Sequence, residues 1–244
     1  LAQEAPAIPS NLSLVSINPS ATSQRLSWNA VTDRSGVRYE ILITDPNNIT
    51  RSITTNNTFV DFINLTPNSR YIYKVRAIDQ ANPANNSLYS SLIEGTTKSL
   101  PTLSITSPTQ NQILSGTVNL RANYSTNSQT NVATNFTWQL NPSTVIVSTN
   151  PNLPSGTIQH NWNSSTVANG QYTLKAIVTD NEGNTQSSEV SINVQNQGNL
   201  TGRILYKGLP IDGASVKVDS LSPVLTDSLG RFTVTNLTLG SHQL

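Results

Sequence analysis

Apolar and polar residues alternate with a period of two in run after run along this chain. Tyr39, Ile41 and Ile43 alternate with Arg38, Glu40 and Leu42, and Tyr71, Tyr73, Val75 and Ala77 alternate with Ile72, Lys74 and Arg76. A period of two sends successive side chains to opposite faces of a strand, so each run predicts a half-buried strand with one face in a core. The pattern continues with Val118, Leu120, Ala122 and Tyr124, with Phe136 and Trp138, with Tyr172, Leu174, Ala176 and Val178, and with Val190, Ile192 and Val194. No stretch at helical spacing runs beyond two turns, and the predicted fold class is all-β.

Turn clusters separate the runs: Asp45-Pro46-Asn47-Asn48, Asn181-Glu182-Gly183-Asn184 and Asp227-Ser228-Leu229-Gly230. Gly and Asn supply positive φ there, and Pro fixes the entry. Many short strands divided by such turns predict β-sandwiches. The alternation lapses at Thr97-Lys98-Ser99-Leu100-Pro101 and at Gln195-Asn196-Gln197-Gly198-Asn199, giving three expected domains over 1–98, 99–196 and 197–244. Both links are short and poor in glycine, so the sandwiches are expected in a semi-rigid, extended row.

Composition narrows the function classes. Only 11% of the residues are charged, and the net charge is +1 with both signs interspersed. No field gathers phosphates, and nucleic acid is not an expected partner. Cysteine and methionine are both absent, so neither disulfides nor thiolate chemistry enter. No apolar run approaches the ~20 residues of a membrane span. The start, Leu1-Ala2-Gln3-Glu4-Ala5-Pro6, reads as the tail of a small-residue cleavage site or as a trimmed mature terminus. A polar, cysteine-free chain of this kind is expected to be secreted or on a cell surface, in a bacterium or archaeon.

Leu26-Ser27-Trp28, Tyr39, Leu65-Thr66-Pro67-Asn68-Ser69-Arg70-Tyr71 and Tyr73-Lys74-Val75-Arg76-Ala77 make the first 98 residues resemble a fibronectin type III domain. The resemblance implies that Trp28 fills the space between two sheets and that Tyr71 lays its ring on the core while its hydroxyl bonds backbone at a corner. Ile105-Thr106-Ser107-Pro108, Leu114-Ser115-Gly116-Thr117-Val118, Trp162, Asn169-Gly170-Gln171-Tyr172-Thr173-Leu174 and Thr179-Asp180-Asn181-Glu182-Gly183-Asn184 resemble a bacterial Ig-like domain. Gly202-Arg203-Ile204, Pro210-Ile211-Asp212-Gly213-Ala214-Ser215-Val216, Thr226-Asp227-Ser228-Leu229-Gly230-Arg231-Phe232 and Leu237-Thr238-Leu239-Gly240 are similar to the start of a carboxypeptidase-regulatory-like, transthyretin-like domain. That third stretch is small for a core without disulfides or metal, and it is expected to be truncated or completed by a strand from a neighbour. Trp28, Tyr39, Leu65, Pro67, Tyr71, Trp138 and Tyr172 are the expected structural core residues.

No catalytic constellation is legible. The two histidines, His160 and His242, fall in different expected domains, and no zinc-protease helix, nucleophile elbow or phosphate loop is present. Acidic residues stand singly at turns and strand ends and read as solvated turn acids rather than a glycosidase pair. Asp180, Glu182 and Asn184, with Asp79, offer oxygen ligands of the sort calcium takes, but without the dense Asp-x-Asp repetition of a loop site. No cofactor is expected. Asn-x-Ser/Thr triplets begin at Asn11, Asn48, Asn56, Asn64, Asn85, Asn123, Asn135, Asn163, Asn199 and Asn236, a slight excess over the roughly seven that the abundance of Asn, Ser and Thr supplies by chance.

Three readings of function follow. The first is a non-catalytic structural or adhesive module of a cell-surface stalk, layer or filament, with a protein or glycan of a cell surface, or another copy of itself, as partner. The second is an accessory spacer of a large secreted hydrolase. The third is a filament subunit completed by donor strands.

Overall fold

A computed structural model describes residues 4–141, 144–238 and 241–244. Leu1 to Gln3 of the cleavage-site reading, and Leu239 and Gly240 of the C-terminal motif, lie outside the described residues.

The fold is all-β, with one 3-10 turn among the described residues, at Ser164–Thr166. Strands β1 (Ser13–Ser16), β2 (Gln24–Ser27), β3 (Val37–Thr44), β4 (Thr50–Thr55), β5 (Phe59–Phe62), β6 (Arg70–Asp79) and β7 (Ile93–Thr96) form two antiparallel sheets, ordered β1-β2-β5 and β4-β3-β6-β7. The alternating set Tyr39, Ile41 and Ile43 pairs in register with Ala77, Val75 and Tyr73 on the same inner face. Leu26, Trp28 and Phe62 meet that face from the other sheet. Trp28 packs edge-on to Tyr39, with ring centroids 5.2 Å apart.

The second sandwich is built from β8 (Thr102–Ser107), β9 (Gln112–Leu114), β10 (Thr117–Ser125), β11 (Ala133–Leu140), β12 (Thr144–Thr149), β13 (Ser155–Asn163), β14 (Gly170–Asp180) and β15 (Thr185–Val194). Its sheets run β13-β10-β8 and β12-β11-β14-β15-β9. Strand β9 joins β15 in parallel, while β8, just before it in the chain, pairs with β10 in the opposite sheet. Trp138, Phe136, Leu120 and Leu174 fill the centre.

The remaining strands are β16 (Gln197–Arg203), β17 (Leu205–Tyr206), β18 (Leu209–Pro210), β19 (Ser215–Val216), β20 (Val224–Leu225) and β21 (Arg231–Thr238). They pair two by two, around a small cluster of Val216, Val218, Phe232, Val234 and Leu237. Gly230 is required in this unit: its φ is +71°, and an added Cβ would lie 2.5 Å from the Ile204 carbonyl oxygen.

Two local devices recur. The first is asparagine in the left-handed region, at Asn11, Asn48, Asn64, Asn68, Asn111, Asn127, Asn152 and Asn236. Asn tolerates that conformation better than other residues with a Cβ, so part of the asparagine richness serves the backbone. The second is an aspartate whose carboxylate oxygen accepts the N–H groups of the residues two and four further on. Asp45 holds Asn47 and Ile49, Asp180 holds Glu182 and Asn184, and Asp227 holds Leu229 and Arg231, all at 2.8–3.0 Å.

Without disulfides, stability rests on these cores and on hydrogen bonds that tie corners to them. Truncating Trp138 to Ala removes a fully buried ring and should cost about 3–5 kcal/mol, read as a lower urea midpoint of the second sandwich. The Tyr71 hydroxyl accepts the Thr66 N–H at 2.8 Å, and Tyr71→Phe leaves that donor without its partner. The expected loss is about 1–3 kcal/mol, confined to the amide signals of the first sandwich.

Candidate functional site

The first two sandwiches meet through the β1–β2 turn and the β14–β15 turn, more than 160 positions apart in sequence. Asp180 shapes the second turn from inside. One oxygen accepts the two backbone N–H groups already named, and the other accepts Asn184 Nδ2 at 2.9 Å. This leaves Asn184 Oδ1 facing the first sandwich, where it accepts the Ala21 N–H at 2.8 Å. Asn184 Nδ2 also donates to Ser20 Oγ at 3.0 Å, and the Ser20 hydroxyl donates to Glu182 Oε2 at 2.5 Å. The Ser20 N–H reaches the Glu182 carbonyl at 3.2 Å, and the Ser20 carbonyl accepts the Lys98 N–H at 3.2 Å.

Ser20, Asp180 and Asn184 are each exposed by no more than 2%. Buried hydrogen bonds that satisfy both partners fix a geometry, because opening the contact strands polar groups away from water. The link is held as well. Thr97 Oγ1 donates to the Thr66 carbonyl at 2.7 Å and accepts the Ser69 N–H at 2.9 Å, the Lys98 carbonyl accepts the Asn68 N–H at 3.0 Å, and the Leu100 carbonyl accepts Asn127 Nδ2 at 2.7 Å. A polar cleft of about 340 Å³ lies beside the link, lined by Asn68, Thr96–Ser99, Thr126–Ser128, Thr130 and Asn131.

The Ser20 hydroxyl, the Asn131 side chain and the charge of Lys98 favour the ionised form of Glu182 and hold its carboxyl below the usual glutamate range, against the opposing effect of partial burial. At the far end of the chain, His242 Nδ1 faces Asp219 Oδ2 and Nε2 faces the Thr238 carbonyl, each at 2.6 Å. The Asp219 carboxylate, then the carbonyl, raise the histidine pKa above its ordinary value. His160 is half-buried on β13, in a different sandwich.

The acids differ from the sequence expectation of solvated turns. Asp79 and Asp180 are buried, at 1% and 2% exposure. Asp79 accepts Asn85 N at 2.6 Å and Asn85 Nδ2 at 2.8 Å, so both carboxylates are committed to organising turns. A carboxylate can be buried in this way because donors replace its hydration. Among the described residues, no group of three His, Cys, Asp or Glu comes together as a metal site would require.

Of the expected core residues, Trp28, Tyr39, Leu65, Tyr71 and Trp138 are buried. Tyr172 is half-buried against the second core, and Pro67 is half-buried outside the clusters. Among the glycosylation triplets, Asn11, Asn48, Asn56, Asn64, Asn123, Asn163, Asn199 and Asn236 are exposed, and Asn85 and Asn135 are half-buried. Sequence reasoning missed Ser20, Asn184 and Asp180 as a junction, because the partners belong to different sandwiches and no local pattern joins them. No described helix is long and apolar enough to cross a membrane.

A family model for the fibronectin type III domain matches residues 7–90. No curated protein matches the chain. Among solved structures, the chain is similar to the fn3 domain of human contactin 1, at 17% identity over 40% of this chain and 84% of that one, with a TM-score of 0.34. It is similar to the fibronectin(III)-like modules of Clostridium thermocellum CbhA, at 15% identity over 72% and 87%, with a TM-score of 0.33. It is also similar to chitinase ChiA74 from Bacillus thuringiensis, at 22% identity over 65% of this chain and 27% of that one, with a TM-score of 0.32.

Glu182 makes the junction pH-dependent. Its folded pKa is depressed, so its contribution is present above the ordinary glutamate pKa and is lost as pH falls through the lowered value. Amide shifts of Ser20 and Ala21 should titrate together in that acidic window, and Glu182→Gln should abolish the titration. Asn184→Ala should uncouple the two sandwiches, so that residual dipolar couplings of residues 13–96 and 102–194 no longer fit one alignment tensor.

Proposed function

We propose that the chain is a non-catalytic extracellular structural module, a stretch of a stalk, layer or filament in which sandwich domains act as spacers of fixed geometry. The buried Ser20–Glu182–Asn184 junction carries this reading, because a chain whose domains served only as independent ligand binders has no use for a satisfied polar lock between them. The commitment of Asp45, Asp79, Asp180 and Asp227 to backbone donors agrees with it, since these acids are employed in shaping turns. In this reading residues 1–98 are a fibronectin type III-like domain, 99–196 a bacterial Ig-like domain, and 197–244 a carboxypeptidase-regulatory-like domain. The setting is a bacterial or archaeal surface or secretome, and the partners are surface proteins, glycans or other copies. The exposed Asn-x-Ser/Thr sites accept glycans where the host attaches them.

A second reading draws on the third unit. Its paired strands leave an open groove of about 780 Å³ beside Phe232, lined by Thr201–Arg203, Leu225–Asp227 and Arg231–Thr233. A strand laid along β16 or β21 would cover it, as a neighbour's strand does in donor-strand filaments.

Small-angle scattering and residual dipolar couplings on the full chain test the first reading. One alignment tensor shared by residues 13–96 and 102–194 is expected. Two independently tumbling sandwiches would overturn the spacer and return an appendage of a secreted hydrolase to the front.

A further inference from the structure

Edge strands present unpaired backbone groups, and sheet proteins guard them with charge, proline, bulges or brevity. The first sandwich follows that rule. Its edges β5, β4 and β7 carry Asp61, Arg51 and Glu94, and β1 has only four residues. The second sandwich reverses it. None of its four edge strands contains Asp, Glu, Lys or Arg. From Ala122 to Leu174, over a fifth of the chain, there is no such residue at all, although the whole carries 14 basic and 13 acidic residues. Three of the four edges are protected in other ways: β9 has three residues, and the registers of β8 on β10 and of β12 on β11 each contain a bulge. Strand β13 has none of these devices. It pairs with β10 in unbroken register over nine residues, from Thr117 opposite Asn163 to Ser125 opposite Ser155.

We infer that β13 is a self-association edge, which pairs antiparallel with β13 of a second copy of this chain about a two-fold axis through Gln159. The inference deepens the structural reading above and rests on it, by naming the partner and the surface. The self-complementarity is in the strand. An isologous contact sets a strand against itself, so a charge on the axis meets its own copy, and β13, with no Asp, Glu, Lys or Arg and with Gln159 at its centre, avoids that cost. Gln159 is the middle residue of nine, and rotation about it places its amide opposite its own copy. The same rotation sets Thr157 opposite Asn161 and Ser155 opposite Asn163. These pairings use the same groups that β13 sets against β10, where the Thr157 hydroxyl donates to Asn123 Oδ1 at 2.7 Å and the Asn119 amide Nδ2 donates to Asn161 Oδ1 at 2.8 Å. The ladder of amides and hydroxyls on the outer face thus continues across the axis, and two three-stranded sheets become one of six strands.

The cysteine-free chain gives a direct test. Opposite residues of an antiparallel pair lie about 4.5–5.5 Å apart at Cα, within reach of a disulfide. Full-length chain carrying Gln159→Cys, oxidised near neutral pH, should cross-link into a covalent dimer, whereas Ser104→Cys on the exposed face of β8 should not. Gln159→Lys, which opposes two ammonium groups on the axis, should raise the dimer dissociation constant several-fold or more in sedimentation equilibrium while leaving the urea midpoint unchanged. A chain that stays monomeric on the order of 1 mM, or that cross-links equally from β8, overturns the inference. The shared alignment tensor of the first two sandwiches is read on monomer and is unaffected by that failure.

Discussion

The carboxylate of Asp180 is the contact on which the arrangement of the first two sandwiches depends. It is nearly sealed from solvent, and it accepts two backbone N–H groups and the Asn184 amide. A buried carboxylate without donors would be prohibitively costly, so the hairpin must close around it in one way. That closure leaves Asn184 with an oxygen directed at Ala21 and a nitrogen shared with Ser20. The rigidity of the turn thereby becomes the rigidity of the junction. Asp45, half-buried, and Asp227, exposed, organise their own turns by the same two-and-four pattern, but neither turn is bonded to another sandwich through its side chain.

The sandwiches themselves need no such device, because their inner faces are set by alternation. In the first, Tyr39, Ile41 and Ile43 meet Ala77, Val75 and Tyr73 in register. In the second, Phe136 and Trp138 oppose Val178 and Ala176. Charge is distributed by a different logic. Arg25–Asp61 and Arg70–Glu94 tie edge strands to their neighbours on the outside of the first sandwich, while in the second the pair Lys175–Glu189 joins two inner strands and the edge strands are left without Asp, Glu, Lys or Arg. Exposed pairs of this kind contribute little stability. Their placement governs which edges a second molecule can approach.

The alternating runs at 39–43, 71–77, 118–124 and 172–178 were legible because their inward residues are large and apolar and fall on central strands. Edge strands gave weaker signals. Thr50–Thr55 is exposed at five of its six positions, and Ser155–Asn163 mixes Thr, Gln, Asn and Gly, so the two faces differ too little for periodicity to show. Tyr71 could be read from the spacing of Leu65, Pro67 and Tyr71, since a corner is a local motif. The burial of Asp79 and Asp180 could not, because an aspartate that organises a turn has the same sequence signature whether water or another sandwich covers it. Ser20 and Glu182 lie too far apart in sequence for any local rule to pair them.

The bonded link also bears on how the chain is destroyed. A protease must draw several residues of extended, unbonded backbone into its cleft. Lys98 is the basic residue between the two sandwiches, yet its N–H is held by Ser20 and its carbonyl by Asn68. Cutting there requires the junction to open first, so the segment that would ordinarily be the weakest point of a two-domain chain is degraded only as fast as its polar lock releases.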